Sequence, residues 1–110
     1  MAPSSPTRGR LFGPDRAPAQ GETFDPIAHM GGARIEQITS SALPDQAQYD
    51  QDHDEWVLLL DGRATMEVEG KEVVLAQGEW LLLAAHIRHC VLRTEPGTRW
   101  LAVHAQSDLD

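Results

Sequence analysis

Between Glu55 and Ala105 four turn-forming pairs, Asp61-Gly62, Glu69-Gly70, Gln77-Gly78 and Pro96-Gly97, cut the chain into short runs. Such pairs supply the backbone geometries of tight turns. No helical stripe of ten or more residues appears anywhere, apart from a turn predicted near Phe24–Ala28. Ala64, Met66 and Val68 alternate with Thr65, Glu67 and Glu69, the period of a half-buried strand. Residues 63–76 therefore read as a hairpin turning at Glu69-Gly70. Glu55–Leu60 and Trp80–Ala84 hold short apolar runs bounded by turn residues and read as strands covered on both faces. The three-residue spacing of Ile35 and Ile38 places a bulge in a first strand near Ala33–Thr39. His89–Thr94 and Thr98–Ala105 read as a hairpin through Glu95-Pro96-Gly97. Seven or eight such strands predict an all-β sandwich or barrel.

The 110 residues make one domain rather than two. Nine basic against 17 acidic side chains argue against nucleic acid or anionic lipid as a partner. The single cysteine, Cys90, excludes an intrachain disulfide and any multi-cysteine zinc module. The longest apolar run, Trp80–Ala85, is too short to span a bilayer, and no apolar segment of a secretory signal follows Met1. These features predict a soluble, cytoplasmic protein. Five of the seven prolines fall in the first 26 residues, and Arg8, Arg10 and Arg16 face only Asp15 within residues 1–20. Proline resists both helix and sheet, so residues 1–20 are expected to be a disordered tail before a domain at 21–110.

Two spacings carry a resemblance. Glu55 is followed after six residues by Gly62; Gly78 is followed after five by Ala84, and His86, His89 and Arg93 come next. This pattern resembles the two-motif signature of the cupin superfamily, in which a His-x-His…Glu…Gly motif precedes a Gly…Pro-x-Gly…His…Asn motif. The segments YDQDHDEWVLLLDG and QGEWLLLAAHIRHCV are similar to those of small single-domain bacterial cupins. The resemblance implies a single antiparallel jelly-roll β-barrel with a small-molecule pocket at its mouth, and pairing into homodimers.

Of the four positions that hold a metal in that family, Glu55 and His89 keep the usual residue, while Tyr49 and Gln51 stand where histidines are expected. The second motif's Pro, Gly and Asn positions hold Ala84, His86 and Arg93. Gln51, Glu55 and His89 are the candidate metal ligands, for Fe, Mn, Ni or Zn; a metal-free polar cluster is the equal alternative. In an extended strand Gln51 and Glu55 would stand ~13 Å apart, so both reach one site only if the chain turns at Asp52-His53-Asp54. His53 is then expected on a solvated tip. A hairpin centred on Pro96-Gly97 would set His89 opposite His104 and Arg93 opposite Trp100, on one face. Glu55 and His89 are the candidate catalytic pair. Tyr49, Gln51, Arg93, Trp100 and His104 are the candidate ligand-binding residues, and His86, in the turn before His89, reads as a surface residue near the mouth. The implied function is a small-molecule pocket, either in a divalent-metal-dependent enzyme or in a metal-free binding or regulatory module. An interaction scaffold is the third reading, since one fold hosts many functions.

Overall fold

The computed structural model describes residues 5–105. Eight strands follow a short 3₁₀ turn at Pro14–Arg16: β1 Glu22–Met30, β2 Ala33–Ser40, β3 Glu55–Asp61, β4 Ala64–Val68, β5 Lys71–Leu75, β6 Trp80–Leu83, β7 His89–Thr94 and β8 Thr98–Ala105. They form a five-stranded sheet in the order β1-β2-β8-β3-β6 and a three-stranded sheet in the order β5-β4-β7. Every named pairing is antiparallel. The all-β expectation is met and the 63–76 hairpin is present as β4–β5. The single closed barrel is not: the described strands form two facing sheets with no ladder joining them.

The predicted pairing of the last two strands is also replaced. β7 pairs with β4, whereas β8 lies between β2 and β3. Glu95-Pro96-Gly97 turns the corner between sheets, held by Glu95 N–H to the Arg63 carbonyl and Gly97 N–H to the Ser40 carbonyl, at 3.1 and 2.9 Å. The residues near Phe24–Ala28 belong to β1, and the bulge lies there, between Pro26 and Ala28, leaving β2 regular. Pro26 donates no hydrogen bond, and β1 is an edge strand where that loss is tolerated.

The core fills the space between the sheets. Leu59 and Ala102 have no exposed surface, and Val57, Ala64, Met66, Leu75, Leu83 and Trp100 are each below 5%. Period-two alternation puts these side chains on the inner faces of β3, β4, β5, β6 and β8. Trp100 satisfies its indole N–H on Ser40 Oγ at 3.0 Å, as a buried indole must. Gly62 links β3 to β4 at φ +96°, and a Cβ there would stand 2.3 Å from Thr98 Oγ1. Only glycine meets both demands.

The expected disordered tail is corrected over its second half. Residues 1–4 lie outside the described residues, but the chain from Phe12 to Arg16 is docked on the outer face of β2. Phe12 N–H donates to Gln37 Oε1, and Gln37 Nε2 returns a bond to the Phe12 carbonyl, at 2.8 and 2.9 Å. Arg99 also donates to that carbonyl, at 2.9 Å. The Arg16 guanidinium grips both oxygens of Asp25, at 3.0 and 2.7 Å. The Phe12 ring lies 4.6 Å beneath it. Proline blocked regular structure here without preventing docking.

Candidate functional site

A cavity of about 300 Å³ opens between the sheets, on the side where β3, β7 and β8 bring their motif residues together. Its apolar wall includes Ile38, Val57, Met66, Leu83, Val91 and Trp100; its polar wall includes Glu22, Glu36, Tyr49, Gln51, Glu55, His89 and His104. Inward residues of β2 are the even-numbered Arg34, Glu36 and Ile38, those of β3 the odd-numbered Glu55 and Val57, and those of β8 Trp100 and His104.

The chain does turn at Asp52-His53-Asp54. The Gln51 carbonyl accepts from His86 N–H at 2.6 Å, the Asp54 carbonyl from Ala105 N–H at 3.0 Å, and Asp54 Oδ1 from Ala85 N–H at 2.8 Å. The turn brings Gln51 beside Glu55, and Gln51 Nε2 donates to Glu55 Oε1 at 2.8 Å. His86 holds φ +68° in this loop, the left-handed backbone that favours the glycine of the cupin pattern. Its ring lies outside the pocket, against Asp50 Oδ1 at 2.9 Å.

His89 reaches the pocket from the first residue of β7. It makes a two-bond bridge with Tyr49, whose ring stacks on the imidazole at 5.6 Å. Its Nδ1–H donates to the Ile87 carbonyl at 2.9 Å, which leaves Nε2 as the acceptor in the neutral ring. That Nε2 lies 3.7 Å from Glu55 Oε1.

His104 joins the site by a route other than the predicted one. It faces Glu55 directly across the β3–β8 ladder rather than His89 across a hairpin. Its Nε2–H donates to Glu36 Oε2 at 2.7 Å and lies 3.8 Å from Glu55 Oε2. His53 is not on a solvated tip. Its Nε2 bonds His104 Nδ1 at 2.9 Å. Asp52 Oδ1 lies 3.3 Å from the other ring nitrogen. The turn that brings Gln51 inward swings His53 over the end of β8.

Arg93 is not in the pocket. A bulge in β7 pairs Thr65 with Arg93 but Met66 with Val91. That extra residue reverses the alternation, so Arg93 emerges on the outer surface and pairs with Glu72 at 3.0 Å. Trp100 forms part of the pocket floor, 2% exposed. Cys90 is buried, which holds its thiol above the usual range, and it lies outside the pocket lining.

Glu22, Arg34 and Glu36 complete the site and were missed in the sequence. Glu36 was discoverable, since Arg34, Glu36 and Ile38 share one strand face. Burial, opposed by the Ser40 hydroxyl and aided by Asp45, Glu55 and Glu36, holds the Glu22 carboxyl above its ordinary range. Burial first, and then Asp45 and the three pocket carboxylates, raise the Tyr49 phenol.

A divalent metal fits this arrangement poorly. Gln51 turns its amide nitrogen, a donor, toward Glu55. His104 Nε2 is committed to Glu36. Among the described residues no three His, Cys, Asp or Glu side chains stand as a metal-ligating group. Gln51, Glu55 and His89 thus meet at one cavity, with Gln51 hydrogen-bonded to Glu55 and His89 Nε2 standing 3.7 Å from the same carboxylate.

The family model of the cupin domain matches residues 38–104. Among solved structures, a "putative mannose-6-phosphate isomerase" from Ralstonia eutropha JMP134 is 38% identical, with TM-score 0.74 over 93% of this chain and 100% of that one. A conserved protein of unknown function from Streptococcus pyogenes superposes with TM-score 0.75 at 13% identity, covering 94% of this chain and 92% of that one. KdgF from Halomonas sp. gives 0.73 at 17% identity, covering 79% and 82%. These two show a shared fold alone. Comparison with curated protein sequences gave no match. The family match spans both motifs and the strands that carry Glu55, His89 and His104, and on that footing the chain belongs to the cupin family as a small single-domain member.

Proposed function

We propose that this cupin binds a small polar molecule in the pocket between its sheets without a resident metal, and that Glu55 and His89 are its acid–base pair. The observation that supports this reading is the meeting of Glu55, His89 and His104, 7%, 6% and 6% exposed, at one cavity whose lining also includes Ile38, Val57, Met66, Leu83 and Trp100. Pockets of that make-up take ligands by burying an apolar body and fixing a polar end. The tautomer set by the Ile87 carbonyl points the His89 lone pair inward, where it can accept a proton from a bound molecule. Glu55 stands close enough to stabilise the imidazolium that results. His104, held by Glu36 and His53, stands 3.8 Å from the second oxygen of Glu55. Stacking on Tyr49 fixes the His89 ring.

The second reading is a metal-dependent enzyme. It is favoured by the retained Glu55 and His89 and by structures of HppE with Fe(II), which share the fold at TM-score 0.66 and 17% identity. Metal analysis of the purified chain, before and after dialysis against a chelator, separates the two. The expected result is no stoichiometric metal and an unchanged melting temperature after chelation. One tightly held metal per chain, lost with a fall in melting temperature, establishes the metal reading instead.

A further inference from the structure

The hydrogen bonds around the pocket sort its polar atoms by what remains to be offered. Gln51 Nε2 donates to Glu55 and His104 Nε2 to Glu36, at 2.8 and 2.7 Å. The Ser40 hydroxyl donates to Glu22 at 2.5 Å, and His89 Nδ1 to the Ile87 carbonyl at 2.9 Å. Each of these donors has a partner within the protein, the second N–H of the Gln51 amide alone being left over. The other atoms without a bond are acceptors: the second oxygens of Glu22, Glu36 and Glu55, and His89 Nε2. The Tyr49 hydroxyl serves either role. Among the described lining residues only Arg34 carries a fixed positive charge, and it is exposed at the rim.

His89 points most directly to a ligand. Its side chain is 7% exposed, and its Nε2 has no hydrogen bond, the Glu55 oxygen at 3.7 Å being beyond reach. Among the described residues no buried side-chain nitrogen or oxygen lacks a partner, so this nitrogen opens onto the cavity, where a donor on whatever enters can reach it. Glu55 Oε2 stands 3.8 Å from His104 Nε2 and is open in the same sense. Three carboxylates gather around a half-apolar cavity, where charge is weakly screened. An anionic ligand would face all three, and a neutral hydroxyl would satisfy acceptors yet leave the charge in place. A primary ammonium carries three donors and no acceptor, and an amidinium presents a comparable fork.

We propose that the pocket recognises a small organic cation, a primary ammonium or amidinium on an apolar body, with Glu55 and His89 receiving its N–H groups. Val57, Met66, Leu83 and Trp100 receive the body. The inference rests on the small-molecule reading above and names its ligand class. Burial is the largest cause of the raised Tyr49 phenol and Glu22 carboxyl; the smaller part that neighbouring carboxylates add agrees with a field that favours positive charge.

The test uses three probes of one shape, benzylammonium, benzyl alcohol and benzoate, titrated into the full chain by calorimetry and ¹H–¹⁵N NMR. Benzylammonium is expected to shift the resonances of Gln51, Glu55 and His89 and to bind about tenfold or more tighter than the alcohol. Benzoate is expected to leave them unmoved. Glu55→Gln and Glu22→Gln each remove a charge and keep the shape, and each should weaken the ammonium about tenfold while leaving the alcohol unchanged. Glu22→Gln carries the test if Glu55→Gln does not fold. Benzoate binding as well as benzylammonium at these residues overturns the cation assignment and leaves the pocket reading standing. If none of the three moves the pocket resonances, both readings fail. Stoichiometric binding of Zn²⁺ alone that abolishes benzylammonium binding overturns the proposal in favour of a metal site.

Discussion

On the outer face of the five-stranded sheet, Gln37 of β2 has no exposed surface, while Trp80 of β6 is 56% exposed. The two lie in one cross-strand row, Gln37–Leu101–Leu58–Trp80, set by the registers of β2, β8, β3 and β6. The next row runs Ile35–Val103–Trp56–Leu82 and ends in a leucine 64% exposed. One end of the surface is thus polar and covered, the other apolar and open. Side-chain polarity alone predicts the reverse at both ends. The difference lies in what reaches each end. The segment Phe12–Arg16 offers Gln37 a backbone donor and a backbone acceptor, so a buried amide is satisfied. Among the described residues nothing comparable reaches β6.

The sharpest way to break this contrast is to remove the cover. Deleting residues 1–17 takes away the hydrogen bonds to Gln37, the contact of Phe12 with the sheet and the Arg16–Asp25 pair. The three bonds among Phe12, Gln37 and Arg99, each with a net worth near 1 kcal/mol after exchange with water, give a loss of about 2–3 kcal/mol. The melting temperature should fall by about ten degrees or more. An unchanged melting temperature would show that the covered end tolerates water as well as the open end does.

That outcome also measures how far the sequence could be read. Local signals were sound: the Glu69-Gly70 hairpin, the turn between Gln51 and Glu55, and the inward placement of Ala64 and Met66 all follow from short-range chemistry. The errors are non-local. Proline content in residues 1–20 reports what the segment cannot form and is silent on what it can dock against. Trp80–Ala84 reads as covered on both faces because apolar residues fill both parities, yet Trp80 and Leu82 have no layer above them. Pairing β7 with β8 follows from proximity in sequence; the structure sends them to different sheets, and His104 finds Glu55 instead. Arg93 was misplaced by one bulge, since a single inserted residue exchanges the two faces of a strand. Glu55 and His89 were legible because each is fixed by a glycine at a set distance. Glu22, Glu36 and His53 depend on register and on loop path.

A smaller perturbation acts at the seam between the arm and the sheet. Gly97 holds φ +81°, and a Cβ there would stand 2.8 Å from Pro14 Cβ. Gly97→Ala therefore combines backbone strain of about 1 kcal/mol with displacement of Pro14, for a total near 2 kcal/mol. In the chain lacking residues 1–17 only the backbone part remains. The two changes should then be non-additive by about 1 kcal/mol in a double-mutant cycle of denaturant unfolding. Additive behaviour would mean that the arm does not press on this corner.

The least effect on stability is expected at the open end. Leu82→Lys replaces a side chain already 64% exposed, so unfolding free energy should change within ~0.5 kcal/mol. Its consequence is expected in assembly. Trp80 and Leu82 adjoin the half-buried Trp56, Leu58, Leu101 and Val103, with the two tryptophan rings 6.1 Å apart. A contiguous apolar face of this kind marks an interaction surface. A second copy meeting it about a two-fold axis would cover the same rows on both chains. Sedimentation of the native chain should then give twice the 12.1 kDa protomer mass, and of Leu82→Lys the protomer alone, because two buried lysines would face each other without partners. If the native chain sediments as a protomer at high micromolar concentration, the contrast between the two ends is intrinsic to the monomer. The arm would then be the sole cover on this sheet among the described residues. If both proteins dimerise, the copies meet through another surface.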